Sequence, residues 1–222
     1  MTLYRTIYAD PPWPERGGGK SKRGADRHYK VMTVRQIKAL PVGDLADSAG
    51  CVLWLWATGN YLADAIDCAR EWGFRVVNFR PWVKAVMREV LIPPGPQSNG
   101  GECFAALPQN PGLGQYMRCD AEILLLCVRG KVAMPPIKTR QTIYAPRVTI
   151  PALTKRGRPT KRVDHSAKPH CVRVDIQTNY SGPRLEMFAR QRHDGWDVFG
   201  DQVEGSIVLP GAAQLELGAA CP

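Results

Sequence analysis

Residues 3–13 read LYRTIYADPPW, a short apolar run followed at once by an acid, two prolines and an aromatic residue. The run at residues 3–9 predicts a buried parallel strand that ends at the aspartate. Ligands of open α/β sheets bind at the carboxyl ends of the strands. The tetrapeptide Asp10-Pro11-Pro12-Trp13 is therefore expected to line a rigid pocket.

The tetrapeptide has the chemistry to hold a planar ring that carries an amino group. The ionised carboxylate of Asp10 can accept one hydrogen of an exocyclic NH2, and the backbone carbonyl of Pro11 can accept the other. Trp13 can stack on the ring, as aromatic platforms do on bases. The alternative is a strand that ends in a Pro-Pro turn with a surface tryptophan. We take Asp10, Pro11, Pro12 and Trp13 as the candidate catalytic residues.

Length and composition indicate one globular domain. We place it at residues 1–204 of the 222, with a flexible tail at residues 205–222. We expect no membrane span, because no stretch of 18 apolar residues occurs, and the first residues lack the layout of a signal peptide. The seven cysteines are odd in number and form no C-x-x-C pair, which favours reduced core thiols in the cytoplasm and no metal site.

The formal net charge of +10 favours a polyanionic partner, most simply nucleic acid. Two long irregular segments, residues 87–117 and 129–164, are predicted to be loops. The second contains residues 155–162, KRGRPTKR, which composition indicates to be an unstructured basic arm. A solvated loop is the alternative to a nucleic-acid clamp. The candidate substrate contacts in this arm are Lys155, Arg156, Arg158, Lys161 and Arg162.

The rest of the chain alternates between strand and helix patterns. Thr33 predicts the N-cap of a short helix, with Gln36 at capping-box spacing. Strands are predicted at residues 51–57, 75–79, 82–86, 121–128, 184–189 and 196–199, and helices at residues 60–72 and 169–178. Pro81 is expected to separate two of the strands. The alternation predicts an α/β fold, a mostly parallel sheet with helices on both faces.

The ordered set of motifs resembles the adenine-N6 methyltransferases related to the eukaryotic mRNA methylase, the MT-A70 family, and among them the bacterial and phage members. The resemblance covers about residues 4–202. After Asp10-Pro11-Pro12-Trp13 come His28-Tyr29-x-x-Met32, Leu40-Pro-Val42, Leu53-Trp-Leu-Trp-Ala-Thr58, Trp72-Gly-Phe74, Trp82-Val-Lys84, Ala121-Glu-Ile-Leu124, His165-Ser-x-Lys-Pro169, Leu185-Glu-Met-Phe-Ala-Arg190, Gly195-Trp-Asp197 and Gly200-x-Gln202.

The resemblance implies a Rossmann-like methyltransferase in the permuted, beta-class-like order, with the catalytic tetrapeptide first and the cofactor-binding strand last. The implied cofactor is S-adenosylmethionine. By similarity, its binding residues are Asp10, Lys168, Glu186, Phe188, Arg190, Asp201 and Gln202, and further substrate contacts are His28, Tyr29 and Lys84. The chain departs from the family at Asp201, where Asn is usual, and at Arg192-His193, where the mRNA methylase type has His-Asn.

The implied reaction is direct methyl transfer to the N6 amino group of a flipped-out adenine, with no metal. The compact chain favours DNA over RNA, and a homodimer stays open. Three other interpretations are kept. A cytosine-N4 methyltransferase usually begins its tetrapeptide with Ser, and a protein-glutamine methylase usually has Asn-Pro-Pro-Tyr. A non-catalytic nucleic-acid-binding subunit would have lost residues such as Asp10 or Lys168, which this chain retains.

Overall fold

Strand β1 (Thr6–Ala9) lies in the interior of an eight-stranded sheet, between two parallel neighbours. The computed structural model describes residues 2–14, 31–92, 101–109, 116–154, 156–164 and 167–209. The sheet order is β10-β9-β1-β2-β5-β3-β4, with β6 paired to β3. The other strands are β2 (Gly50–Ala57), β3 (Arg75–Ile92), β4 (Gly101–Pro108), β5 (Ala121–Gly130), β6 (Ile143–Ala145), β7 (Thr149–Leu153), β8 (Pro159–Val163), β9 (Arg184–Met187) and β10 (Asp197–Phe199).

Helices cover both faces of the sheet, as predicted. The helices are α1 (Val34–Lys38), α2 (Val42–Leu45), α3 (Leu62–Glu71) and α4 (His170–Asn179). Alternate residues of a strand point to opposite faces, so Ile7 and Ala9 of β1 pack in the core beneath α1, α2 and α3. Tyr8 joins the second core, which α4 covers with Val172 and Ile176. No helix among the described residues is long and apolar enough to cross a membrane.

The sheet is mixed, and its central strands are mostly parallel. β10, β9, β1 and β2 are parallel to one another, whereas β5 is antiparallel to both β2 and β3. The last two strands of the chain thus lie beside the first, which is the permuted order implied by the resemblance. The predicted α/β fold class is confirmed.

Local signals predicted several helix boundaries correctly. Thr33 caps α1, and its side chain and that of Gln36 form the reciprocal capping box. Helix α3 ends before Gly73, whose φ of 79° is left-handed, a conformation that glycine adopts without strain. Helix α4 spans residues close to the predicted 169–178. The first strand is shorter than expected, because Tyr4 makes only an isolated bridge to Ala46.

Pro81 does not divide two strands, so that prediction was wrong. β3 runs unbroken from Arg75 to Ile92 and pairs with β5 on one side through Pro81 itself. On its other side, β6 pairs only from Trp82 onward and β4 only from Ala85 onward. Proline has no N–H to donate, so it is tolerated where one side of the strand carries no ladder.

Most of the described residues in the predicted loop 87–117 lie in two paired strands. β3 continues through Ile92 and pairs antiparallel with β4, and Val90 faces Cys103. The prolines, glycines and amides that suggested a loop are concentrated at residues 93–100 and 108–115, and apart from Pro108 and Gln109 these residues lie outside the described part of the chain. Averaging composition over the whole segment therefore hid two strands.

The second predicted loop, residues 129–164, contains the end of β5 and three short strands. The basic arm is not unstructured: β7 and β8 pair antiparallel as a separate two-stranded sheet. Burial alternates along β7, where Ile150 and Ala152 are half-buried and their neighbours are exposed. Lys155 lies outside the described residues.

The described part of the predicted tail, residues 205–209, contacts the domain. The backbone N–H of Ser206 donates to the Val198 carbonyl at 2.9 Å, and Leu209 is buried in the core beneath the sheet. Leu209 and the half-buried Ile207 thus continue the packed domain, whereas Val208 is exposed. Residues 210–222 lie outside the described part of the chain.

Candidate active site

Four charged side chains meet at one edge of the sheet. Asp10 directly follows β1 at its carboxyl end. Because β5 runs antiparallel to β2, Glu122 near the start of β5 lies at the same edge. Lys84 is brought there by β3, and Lys168 by the segment just before α4. This edge is where ligands of α/β sheets bind.

The four groups form a continuous chain of alternating charge. Lys168 Nζ lies 2.7 Å from Asp10 Oδ2 and 3.2 Å from Glu122 Oε2, and Lys84 Nζ lies 2.7 Å from Glu122 Oε1. Lys168 is the most buried member, with 9% of its side chain exposed, and Asp10 is the most exposed, at 29%. Asp10 is therefore the member of the chain that a ligand can reach from solvent.

The environment shifts the pKa of three of these groups. Burial raises the pKa of Asp10, although the ammonium of Lys168 acts in the opposite direction. Burial alone would raise the pKa of Glu122, but Lys168 and Lys84 together outweigh it and hold that pKa below the usual value. Burial would likewise lower the pKa of Lys168, but Asp10 and Glu122 raise it. Lys168 thus stays charged at neutral pH.

Aromatic rings support the two lysines. Lys168 Nζ lies 5.5 Å from the centre of the Trp56 ring, and Lys84 Nζ lies 5.2 Å from the centre of Trp82. The two tryptophans contact each other edge to face. The Trp56 indole N–H donates to the hydroxyl of Tyr8 at 2.7 Å, and this hydrogen bond fixes the orientation of the Trp56 ring. The ammonium groups are therefore held by rigid, water-excluding surfaces.

Trp13 lies inside the core, and its stacking on a base stays a prediction. Only 4% of the residue is exposed, and its ring is stacked on Tyr61 with centroids 5.6 Å apart. Its indole N–H donates to the Trp56 carbonyl at 3.0 Å. A bulky aromatic residue buries more area in the core than at a pocket wall, and its N–H finds a partner there. Trp13 thus anchors the loop that carries Asp10.

The backbone of the tetrapeptide is folded back on itself. The Pro11 carbonyl accepts from the Trp13 N–H at 2.8 Å, and the Pro12 carbonyl accepts from the Met32 N–H at 3.0 Å. A carbonyl oxygen has two lone pairs, so each can accept one more hydrogen bond. Pro11 is buried and Pro12 half-buried.

Glu186 is held by an arginine that sequence patterns did not single out. Both nitrogens of the Arg173 fork, Nε and one Nη, donate to the Glu186 carboxylate at 2.9 Å. Arg173 projects from α4, and its guanidinium lies 5.9 Å from the Tyr8 ring centre. Each carboxylate oxygen keeps lone-pair capacity for another donor. The predicted cofactor residue is thus oriented before any ligand arrives.

The other predicted cofactor residues follow β9 and β10 at the same edge. Phe188 has a φ of 62°, which is rare for a non-glycine residue, and packs partly against the core. Arg190 donates to Asp164 at 3.3 Å. Asp201 and Gln202 are exposed in the turn after β10. Phe188 and Arg190 follow β9, the direct neighbour of β1, and Asp201 and Gln202 follow β10, one strand further from Asp10.

The predicted substrate contacts divide into three groups. Lys84 is a half-buried member of the charged chain, with 16% of its side chain exposed. Arg156, Arg158, Lys161 and Arg162 are exposed on the β7–β8 hairpin. His28, Tyr29 and Lys155 lie outside the described residues. Within the described ranges, no group of three His, Cys, Asp or Glu residues could hold a metal ion.

Comparison with known proteins decides the family. The MT-A70 family model matches residues 4–202, which span β1, the tetrapeptide and every described strand. The chain belongs to the MT-A70 family. It is thus a member of a methyltransferase family, and MT-A70 methyltransferases generally use S-adenosylmethionine.

Three relatives show the range of this family. The chain is 24% identical to the type II methyltransferase M.MunI of Mycoplasma sp, over 96% of this chain and 84% of that protein. It is 26% identical to the N(6)-adenine-specific methyltransferase METTL4 of Mus musculus, over 90% of this chain and 37% of the relative. It is 29% identical to the N6-methyladenosine RNA methyltransferase MTA1 of Pyricularia oryzae, over 90% of this chain and 47% of that protein. The chain thus spans less than half of the two eukaryotic relatives.

Sequence reasoning assigned no role to Glu122 or Arg173 in this MT-A70 protein. A signal for Glu122 was available: it is an acid at the start of the buried strand pattern of residues 121–128. An isolated acid in an apolar strand needs a cation, and the end of a strand is where a site forms. Arg173 gave no comparable signal, because it pairs with Glu186 of another element, 13 positions later.

Proposed function

We propose that this protein methylates the exocyclic N6 amino group of adenine in DNA by direct transfer to a flipped-out base. The observation that carries the proposal is the position of Asp10. A partly exposed carboxylate at the carboxyl end of β1 is held at 2.7 Å by a buried ammonium and is followed by a proline carbonyl that has a spare lone pair. This arrangement suits the two hydrogens of an amino group on a planar ring.

The residues of the chain act on the amino group by accepting its hydrogens. Asp10 accepts one N–H and the Pro11 carbonyl accepts the other, which favours a tetrahedral nitrogen and stabilises the positive charge that develops on it. The ion pair with Lys168 keeps Asp10 in one orientation, and the buried Trp13 keeps the loop in place. A base in a duplex must leave the stack to reach these groups.

The residues at this edge fit S-adenosylmethionine in the chemistry of their side chains. The methionine part of the cofactor carries a carboxylate and an ammonium group, and its ribose carries hydroxyls. Arg190 and Lys168 are cations for the carboxylate, and Asp10 and Glu186 are acceptors for the ammonium and the hydroxyls. Phe188 and Gln202 follow β9 and β10. When bound, the cofactor supplies a methyl group on a sulfonium centre. The chain's own residues orient and desolvate the two reactants.

The choice of DNA rests on the relatives. The Mycoplasma relative, of which the chain covers 84%, is named a type II methyltransferase. The Pyricularia relative is named an RNA methyltransferase and is more than twice as long as the matched region. The Mycoplasma relative, matched over most of its own length, therefore favours the DNA interpretation, and RNA is the competing substrate.

The decisive experiment supplies the purified chain with methyl-labelled S-adenosylmethionine and either DNA or RNA, followed by digestion to nucleosides. We expect label on N6-methyl-deoxyadenosine. Label on cytidine would indicate a cytosine-N4 enzyme, and label in RNA alone would indicate an RNA methylase. Nucleic-acid binding without cofactor binding by calorimetry would indicate a non-catalytic subunit. Each of these three results would refute the proposal.

A further inference from the structure

The β7–β8 hairpin is a two-stranded ribbon that stands apart from the main sheet. Its five residue pairs run from Thr149 opposite Val163 to Leu153 opposite Pro159. The turn is closed by three hydrogen bonds between Thr154 and residues 157 and 158, and Gly157 has a φ of 73°. The ribbon is therefore an ordered element that projects a defined turn, and its outer face is mostly exposed.

Both ends of the ribbon are attached at the edge of the sheet that carries Asp10. β6, which precedes it, pairs with β3 from Trp82 to Lys84, so it ends beside the charged chain. At the other end, the Asp164 N–H donates to the Val148 carbonyl at 2.9 Å, and its carboxylate accepts from Arg190 at 3.3 Å. Asp164 lies four positions before Lys168. The ribbon thus rises from the rim of the candidate active site.

The ribbon and the residues just before it carry only positive charge. Residues 139–163 contain seven Lys or Arg and no Asp or Glu. Arg156, Arg158, Lys161 and Arg162 are exposed in the structure. Leu153, at the end of β7, is 70% exposed beside them. The charge indicates a polyanionic partner, to which Leu153 offers one apolar contact.

We propose that the β7–β8 ribbon enters the major groove of B-form duplex DNA next to the adenine that is flipped into the site. That groove is about 12 Å wide and admits a two-stranded β-ribbon, and its thymine methyl groups can contact Leu153. The basic side chains reach the phosphates along the groove. The major groove of an A-form RNA duplex is deep and narrow and excludes such a ribbon. This inference rests on the proposed function for its choice of DNA.

The test measures binding by fluorescence anisotropy over a range of salt concentrations, without cofactor. The ribbon variant combines Arg158→Gln, Lys161→Gln and Arg162→Gln, all at exposed positions that leave the hairpin backbone intact. The matched control combines Arg35→Gln, Arg70→Gln and Arg75→Gln, which removes the same charge from exposed positions on α1, α3 and the start of β3. The probes are duplex DNA and duplex RNA of the same sequence.

We expect the ribbon variant to bind duplex DNA at least about tenfold more weakly than the control variant, and the slope of log affinity against log salt to fall by about 2.7. Its binding to duplex RNA should change no more than that of the control. Equal binding of the two variants to duplex DNA would overturn the inference, as would an equal loss with duplex RNA. A wild-type chain that shows the expected binding but transfers no methyl group would refute the proposed function and leave the ribbon assignment in place.

Discussion

Lys168 donates a hydrogen bond to Asp10 at 2.7 Å, although the two residues are 158 positions apart in the chain. The contact exists because β9, which follows Lys168 through α4, is the parallel neighbour of β1. The first and last parts of the domain thus build one site. The charged chain extends from there through Glu122 to Lys84.

Replacing Asp10 by Asn should reduce methyl transfer by at least about a hundredfold, the cost of losing one preorganised polar group at a reacting centre. The substitution keeps the size of the side chain but removes its charge and one acceptor oxygen. Single-turnover transfer to DNA measures the effect. Cofactor affinity, followed by calorimetry, should change by only a few-fold. Asp67→Asn, at an exposed ion pair on α3, is the control and should leave the rate unchanged.

The rate of methyl transfer should fall in acid at a pH above the ordinary aspartate pKa of about 3.9. Burial raises the pKa of Asp10, so the carboxyl takes up its proton, and loses its role as an acceptor, at a higher pH than usual. A profile of single-turnover rate against pH measures this acid limb. A limb that persists unchanged in Asp10→Asn would assign the titration to another group.

Glu122→Gln should lower the free energy of unfolding by about 3 kcal/mol, because it leaves the buried ammonium of Lys84 without a counter-charge. Urea unfolding measures the loss. The double variant Glu122→Gln/Lys84→Met should be less destabilised than the sum of the single variants, by about 1–3 kcal/mol. Glu71→Gln removes an exposed partner of Lys38 at 3.7 Å and is the control, with an expected cost below about 1 kcal/mol.

The contribution of Glu122 to stability should depend on pH in a defined direction. Its pKa is lower in the folded chain than in the unfolded chain, so it stabilises the fold above the unfolded value of about 4.3. That stabilisation is lost as the pH falls through the lowered pKa. The difference in unfolding free energy between wild type and Glu122→Gln should therefore be constant above about pH 5.5 and shrink in acid. A difference that grows in acid would contradict the assigned direction.

Trp13→Phe should cost about 2 kcal/mol of stability, since it removes the indole donor and leaves the buried Trp56 carbonyl without that partner. Thermal and urea unfolding measure the loss. Trp72→Phe is a matched control, because its buried indole also donates to a backbone carbonyl, that of Lys38 at 3.1 Å. A Trp13→Phe variant with full stability and a raised KM for DNA would contradict the anchoring role and support stacking of Trp13 on the base.

Sequence patterns predicted the features that depend on neighbours along the chain. The capping box of Thr33 and Gln36, the glycine stop of α3 and the strand before Asp10 were correct, because each is decided within one or two helical turns or one strand. The motifs also led to the MT-A70 family, which the family model confirmed over residues 4–202. The same local patterns were wrong at Pro81 and at the two long loops, where strand pairing with distant partners overrode composition.

The amino-acid sequence determined the fold class, the family and the candidate acid Asp10. An apolar strand that ends in Asp-Pro-Pro-Trp can be recognised from residues 3–13 alone. Only the tertiary structure decided that Trp13 is a core anchor, that Lys84 and Glu122 join Lys168 and Asp10, and that Arg173 holds Glu186. These contacts depend on the order of strands in the sheet. Strand order is set by the packing of the whole chain. No local pattern therefore encodes which charged residues of different strands will form an ion pair.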